Sequence, residues 1–207
     1  LDQGFLKSQV RDKTLNIENI SSEYRIAFEK IRFNKSVTDA KNLAKIVKLK
    51  NKVLGIHLRT GDIVYSEIRN MDRWGSKVVP FYVIDILVTR YLELGYDIVL
   101  FTLDNKACKY FKDKYGVILS NDLIPDSYDD IQRAIFDMGL MSRCNEIVGG
   151  GSGFAIVASW IGNCKILDYN DILTKKEVRS SFVSSYNIEG VLSSRLTNPL
   201  LRSFSIA

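Results

Sequence analysis

The chain has 207 residues, 46% of them apolar and 26% charged, with a formal net charge of +5. That composition supports one substantial domain, or one domain with an appendage, and excludes wholesale disorder. The positive surplus suits an anionic ligand or a mildly anionic membrane surface, met peripherally; without a motif it is too small to argue for nucleic acid. Three cysteines, Cys108, Cys144 and Cys164, form no CxxC pair. They are expected to be reduced and buried, in a cytoplasmic protein that works in solution or at the inner face of the membrane. One histidine and scattered cysteines do not make zinc spacing, so no metal site is expected. The longest apolar runs, 78–88 and 154–161, are too short to span a bilayer, and Asp85 interrupts the first. No signal peptide is visible. The first residue is Leu, so an excised domain or a processed product is one expectation, with a missing domain or partner to go with it.

Residues 22–33 (SEYRIAFEKIRF) have helical spacing, with Tyr24, Ala27, Ile31 and Phe28 on one face. Residues 38–49 predict a second amphipathic helix, with Leu43, Ile46 and Val47 inward and Lys41, Lys45 and Lys48 outward. These helices make residues 1–50 a lead-in. Alternation then begins. Residues 53–59 predict a first strand and 63–77 a long irregular loop, a kind of segment that often carries function. Residues 80–94 predict a helix ended by Gly95, and 97–102 a second strand. A short basic helix over 106–115 and a third strand over 117–120 follow. Residues 127–144 predict a strong helix, opened by Ser127 and Asp130 as a capping-box-like pair. Its apolar stripe is Ile131, Ala134, Ile135, Met138 and Met141, and Asp137 faces away from it, towards the strand tips or solvent. Strand four is 146–148, a glycine-rich turn is 149–153, a helix is 154–162 and strand five is 165–169. Such alternation implies βαβ units with right-handed crossovers. The fold class is therefore α/β: a Rossmann-like parallel sheet of about five strands with flanking helices, over residues 51–171. Residues 172–207 are expected to be a tail packing on that domain. There is no internal repeat.

Three stretches could carry chemistry. The first runs from Val53 to Asp62 (VLGIHLRTGD). His57, the only histidine, and Arg59 leave the same face of a strand, and Gly61 turns the chain towards Asp62. A strand tip is where open α/β sheets hold ligands, and Arg offers a fixed fork of donors for phosphate oxygens. A solvated strand end explains the same residues. The second is Gly149-Gly-Gly-Ser-Gly153, between a strand and a helix. Gly151, Ser152 and Gly153 would offer backbone N–H groups, a hydroxyl and a helix N-terminus to an anion. It is neither a Walker loop nor a dinucleotide fingerprint, and tight helix–strand packing explains glycines equally well. The third is Asp137, whose two oxygens match the N1–H and amino donors of guanine. Asp104, after strand two, is a candidate for ribose or base, although Asp there is also ordinary turn chemistry.

His57-Leu-Arg59-Thr-Gly-Asp62 resembles the H-x-R-x-x-D signature of the fucosyltransferase superfamily that includes the α-1,2-, α-1,6- and protein O-fucosyltransferases. Phe101-Thr-Leu-Asp104 looks like its second motif. The segment from Asp137 to Ser142, with Ile147, Val148 and the loop at Ser152, looks like its third. The resemblance covers roughly residues 53–169. It implies the nucleotide-sugar half, the C-terminal half, of a two-domain GT-B-like enzyme. It further implies inversion at the sugar, generally without a metal, and no cofactor beyond the GDP-sugar donor itself. Arg59 would hold the β-phosphate, His57 would lie beside the nucleotide, Ser152 and Gly153 would contact phosphate, and Asp137 would read guanine. This chain departs from the family in two ways. The stretch before Val53 is too short for the second domain, and a Gly-rich loop stands where relatives often carry Ser or Thr pairs. No residue is a plain general base; Asp62 and Glu67 are the best candidates.

The resulting expectation is an inverting, fucosyltransferase-like glycosyltransferase of cell-surface polysaccharide synthesis. It would move a sugar from a GDP-sugar to a glycan, a lipid-linked acceptor or another hydroxyl. The alternatives are a non-catalytic nucleotide- or glycan-binding domain of a larger protein, and a transferase using another nucleotide-sugar. Strand one lacks the glycine fingerprint of a methyltransferase or dehydrogenase.

Overall fold

The computed structural model describes residues 17–59, 79, 81–168 and 172–174. Five strands form its centre: β1 (Val53–His57), β2 (Asp97–Phe101), β3 (Ile118–Leu119), β4 (Glu146–Val148) and β5 (Lys165–Leu167). They lie in the order β3-β2-β1-β4-β5, and every neighbouring pair is parallel. Six α-helices accompany them among the described residues: α1 (Ile17–Lys30), α2 (Lys35–Ile46), α3 (Phe81–Glu93), α4 (Asn105–Tyr115), α5 (Asp130–Met141) and α6 (Gly153–Gly162). This is a Rossmann-like α/β architecture, with the reversal of strand order between β1 and β4.

Both faces of the sheet are covered, which is why the central stretches of β1 and β2 are apolar. On one face Leu54, Ile56 and Leu100 pack with Val83, Ile84 and Leu87 of α3 and Phe111 of α4. On the other, Val53, Val99 and Phe101 pack with Phe136 and Leu140 of α5 and Ala155 and Ala158 of α6. Gly55 belongs to this second face for want of space: a Cβ there would stand 2.8 Å from Cys144 Sγ. The two lead-in helices close over the same side. Tyr24 of α1 meets Trp160 of α6 with ring centroids 4.9 Å apart. Gly139 of α5 lets Ala44 of α2 approach, since a Cβ there would lie 3.0 Å from the Ala44 Cβ. After β5, Leu173 is buried in the α3/α4 core, and Arg90 Nη1 donates to the Ile172 carbonyl at 2.8 Å.

Several local expectations are corrected. The capping box of α5 is Asp129 with Gln132, not Ser127 with Asp130. A 3-10 turn, Ser120–Leu123, follows β3 where no element was expected. In α2 the fully buried residues are Val37, Ala40, Lys41 and Ala44; Leu43 and, just past the helix, Val47 pack partly buried against the core as expected, while Ile46 is exposed. Lys41 is inward because its Nζ donates to the Phe28 carbonyl at 2.5 Å, which fastens α2 to α1. Of the expected face of α1, Phe28 is buried, while Ala27 and, just past the helix, Ile31 are exposed. In α5 Ile131 is exposed, and the buried residues are Phe136, Gly139, Leu140 and Met141. No helix among the described residues is long and apolar enough to cross a membrane.

Candidate functional site

The reversal of strand order puts the C-terminal tips of β1 and β4 side by side, with a crevice between the connections that leave them in opposite directions. His57 ends β1. Ile56 is level with Val148, so Gly149 comes level with His57. A Cβ on Gly149 would sit 4.0 Å from the His57 Cβ and 2.4 Å from the Ala155 Cβ. Gly149 is thus required by close packing. Gly150 and Gly151 have another reason: their φ values are +51° and +74°, in the left-handed region. The next two residues begin α6. Ser152 is buried, occupies the N-cap position without a side-chain capping bond, and its N–H donates to the Gly149 carbonyl at 2.8 Å. Gly153 is the first helical residue. A Cβ on Gly151 would meet nothing within 4 Å.

The His57 imidazole lies under this turn. Its ring is 5.5 Å from that of Phe154, at 31° between planes. Its Nδ1 is buried and has no hydrogen-bond partner. Burial, with the Arg59 guanidinium as the second cause, lowers its pKa to about 4. The ring is therefore neutral at ordinary pH, and no described carboxylate raises its basicity. An unpartnered buried nitrogen costs about 1–3 kcal/mol, so native proteins seldom keep one without a use.

A second orphaned pair lies two strands away. His57 is level with Phe101 of β2, and Leu100 is level with Leu119 of β3. Ser120, one residue further on, therefore continues the row of His57 and Phe101, about 10 Å from β1 at two strand spacings. Asp137 reaches it from α5. Ser120 Oγ stands near enough to draw the carboxyl's pKa down, yet Ser120 Oγ and Asp137 Oδ1 are both buried without a well-formed hydrogen bond. Burial dominates and raises Asp137 to about 7, with Ser120 and Arg133 opposing it. Asp137 thus lies beside Ser120 at the strand tips, one of the two directions expected of it.

His57, Arg59, Gly151, Ser152 and Gly153 are thus brought to one crevice, and Asp137 to the neighbouring strand tips. Asp104 has a structural duty: its Oδ1 accepts from Lys106 N at 2.9 Å and Ala107 N at 3.1 Å, capping α4. Asp62 and Glu67 lie outside the described residues. Ser120 was missed, because a serine after a two-residue strand carries no sequence signal. Among the described residues no group of three or more His, Cys, Asp or Glu side chains is placed to hold a metal ion. A concavity of about 380 Å³ exists elsewhere, outside α3 and lined by Asp85, Thr89, Arg90 and Tyr115 among others; none of the residues above lines it.

No family model, no curated protein and no solved structure matches this chain.

Proposed function

We propose that the protein binds a nucleoside diphosphate-sugar across the tips of β1, β4 and β3, and that it acts as an inverting glycosyltransferase on a hydroxyl acceptor. The observation that carries this reading is the buried, unpartnered His57 Nδ1 beneath the N-terminus of α6, at the reversal of strand order. An α-helix N-terminus presents free N–H groups and partial positive charge. Arg59, two residues beyond His57 and just past the end of β1, adds a permanent cation. Positive potential fixed there would stabilise a diphosphate as charge develops on it in leaving. The base would lie towards Ser120 and Asp137, about two strand spacings from the phosphates, with Asp137 selecting guanine. The likeness of His57–Asp62 to the fucosyltransferase signature makes a GDP-sugar the first donor to test, fucose the first sugar, and a missing GT-B half the source of the acceptor site.

A second reading is a nucleotide-binding module without turnover. It is favoured by the surroundings of His57, where no described carboxylate is coupled to the ring.

Calorimetric titration with GDP, UDP and ADP, with and without EDTA, tests both. Selective GDP binding that ignores EDTA supports the donor site, and hydrolysis or transfer of a GDP-sugar then separates enzyme from module. Binding of none of the three contradicts both readings.

A further inference from the structure

We propose that the stretch of chain after Thr174, residues 175–179, docks in the groove along the outer face of α3. The inference is independent of the nucleotide reading. The groove is a concavity of about 380 Å³, lined by Asp85, Ile86, Thr89, Arg90 and Glu93 of α3 and by Tyr115, the last residue of α4. Ile86, Arg90 and Glu93 follow one another at helical spacing and form a row on one face. Asp85 is no anchor for an incoming group, because Tyr110, Tyr115 and Lys114 already occupy it. Glu93 is exposed and takes part in none of the ion pairs among the described residues.

Two observations point to the occupant. The first is where the chain arrives. Leu173 is buried in the core that α3 and α4 share, and Arg90 Nη1 donates to the Ile172 carbonyl at 2.8 Å. Arg90 is also a wall of the groove. The described chain thus reaches Thr174 beside that wall. The second observation is charge. The residues that come next, outside the described ones, are Lys175-Lys-Glu-Val-Arg179. Two ammonium groups therefore enter where Glu93 stands unpaired, one helical turn, about 5 Å, from Arg90.

The spacing suits an extended run antiparallel to α3. From Glu93 back to Ile86 the helix covers about 10 Å, which is what three extended residues span. With Lys175 at Glu93, Val178 comes level with Ile86, the aliphatic residue of the lining, which is partly buried against the α3/α4 core. A lining in which charged and polar side chains prevail fits a charged length of chain better than a small ligand, whose pockets are mainly apolar.

The test is limited proteolysis of the full chain with trypsin, read by mass through the fragments that begin at Ser180. Each rate is divided by that of a free peptide of residues 172–186 carrying the same change. A protease needs a locally opened segment, so docking should make the bond after Arg179 about tenfold or more slower in the chain than in the peptide. Glu93→Lys and, on the other partner, Lys175→Glu should each raise the relative rate about threefold. The two together should bring it back towards the unaltered chain. Circular dichroism checks that the variants keep their fold. An unaltered chain cut after Arg179 as fast as the peptide overturns the docking. So does protection that ignores Glu93→Lys, or a loss that Lys175→Glu does not restore: the segment then lies elsewhere, and the groove belongs to another occupant.

Discussion

The two faces of the sheet differ in their buried polar groups: only one of them keeps unpartnered atoms among the described residues. Among the described residues, no buried side-chain nitrogen or oxygen on the α3/α4 side lacks a partner. Asp85 accepts from Tyr110 Oη at 3.0 Å, Tyr115 Oη at 2.9 Å and Lys114 Nζ at 3.3 Å. Tyr91 Oη donates to Glu146 at 2.6 Å. On the α5/α6 side His57, Ser120 and Asp137 each keep a buried atom without a partner. Polar groups buried for stability are normally satisfied, because an orphan costs free energy. The satisfied face reads as scaffold. The orphaned face, which lies at the strand tips, reads as a place prepared for something else.

Substitutions can break that contrast. The largest effect is expected from Arg59→Ala: nucleotide affinity or turnover should fall about a hundredfold or more, with the fold intact by circular dichroism. A normal titration in that variant would remove Arg59 from the site. On the scaffold face, Asp85→Ala takes the acceptor from two tyrosines and a lysine. Denaturant unfolding should show a loss of about 2–3 kcal/mol, with GDP binding intact. Gly149→Ala sits between the two classes. Its Cβ would stand 2.4 Å from the Ala155 Cβ, so α6 must shift, at about 1–3 kcal/mol, and nucleotide binding should weaken along with stability.

The smallest effect is expected from Asp137→Asn, and its sign depends on pH. The folded carboxyl has its pKa raised from 3.8 to about 7. The folded state therefore holds the proton more tightly than the unfolded one. That advantage is complete below 3.8 and is lost as pH rises through 7. The asparagine variant should be more stable than the parent at pH 8, by on the order of 1–2 kcal/mol, and no more stable at pH 4. A variant less stable at pH 8 would mean that the carboxylate is compensated after all.

The sequence carried the scaffold well. Alternation of Val53, Gly55 and His57 with Leu54, Ile56 and Leu58 gives the two faces of β1, and all five strands and their connecting helices are legible from apolar runs and turn residues. The expected strong helix is α5, shorter at both ends, because Asp129 wins the capping position. Helix faces were less legible. A stripe counted along α5 ignores that the helix is covered on two sides, by the sheet through Phe136 and Leu140 and by α2 through Gly139. Asp137 lies beside Ser120 at a strand tip, which no periodicity shows. Lys41 misleads for a similar reason, since its partner is a backbone carbonyl in another helix. At the site, the glycine-rich turn and the His-Arg pair announce themselves through spacing. The orphaned nitrogen of His57 and the hydroxyl of Ser120 do not, because lack of a partner is a property of the packed chain.

His57 is the only histidine in the protein, so its ring resonances need no assignment. We would follow them by NMR, first against pH and then against GDP, UDP and ADP. The account predicts a ring that does not titrate above about pH 5 in the free protein and that shifts on addition of GDP. A ring that titrates near pH 6.5, or one indifferent to all three nucleotides at millimolar concentration, would contradict it.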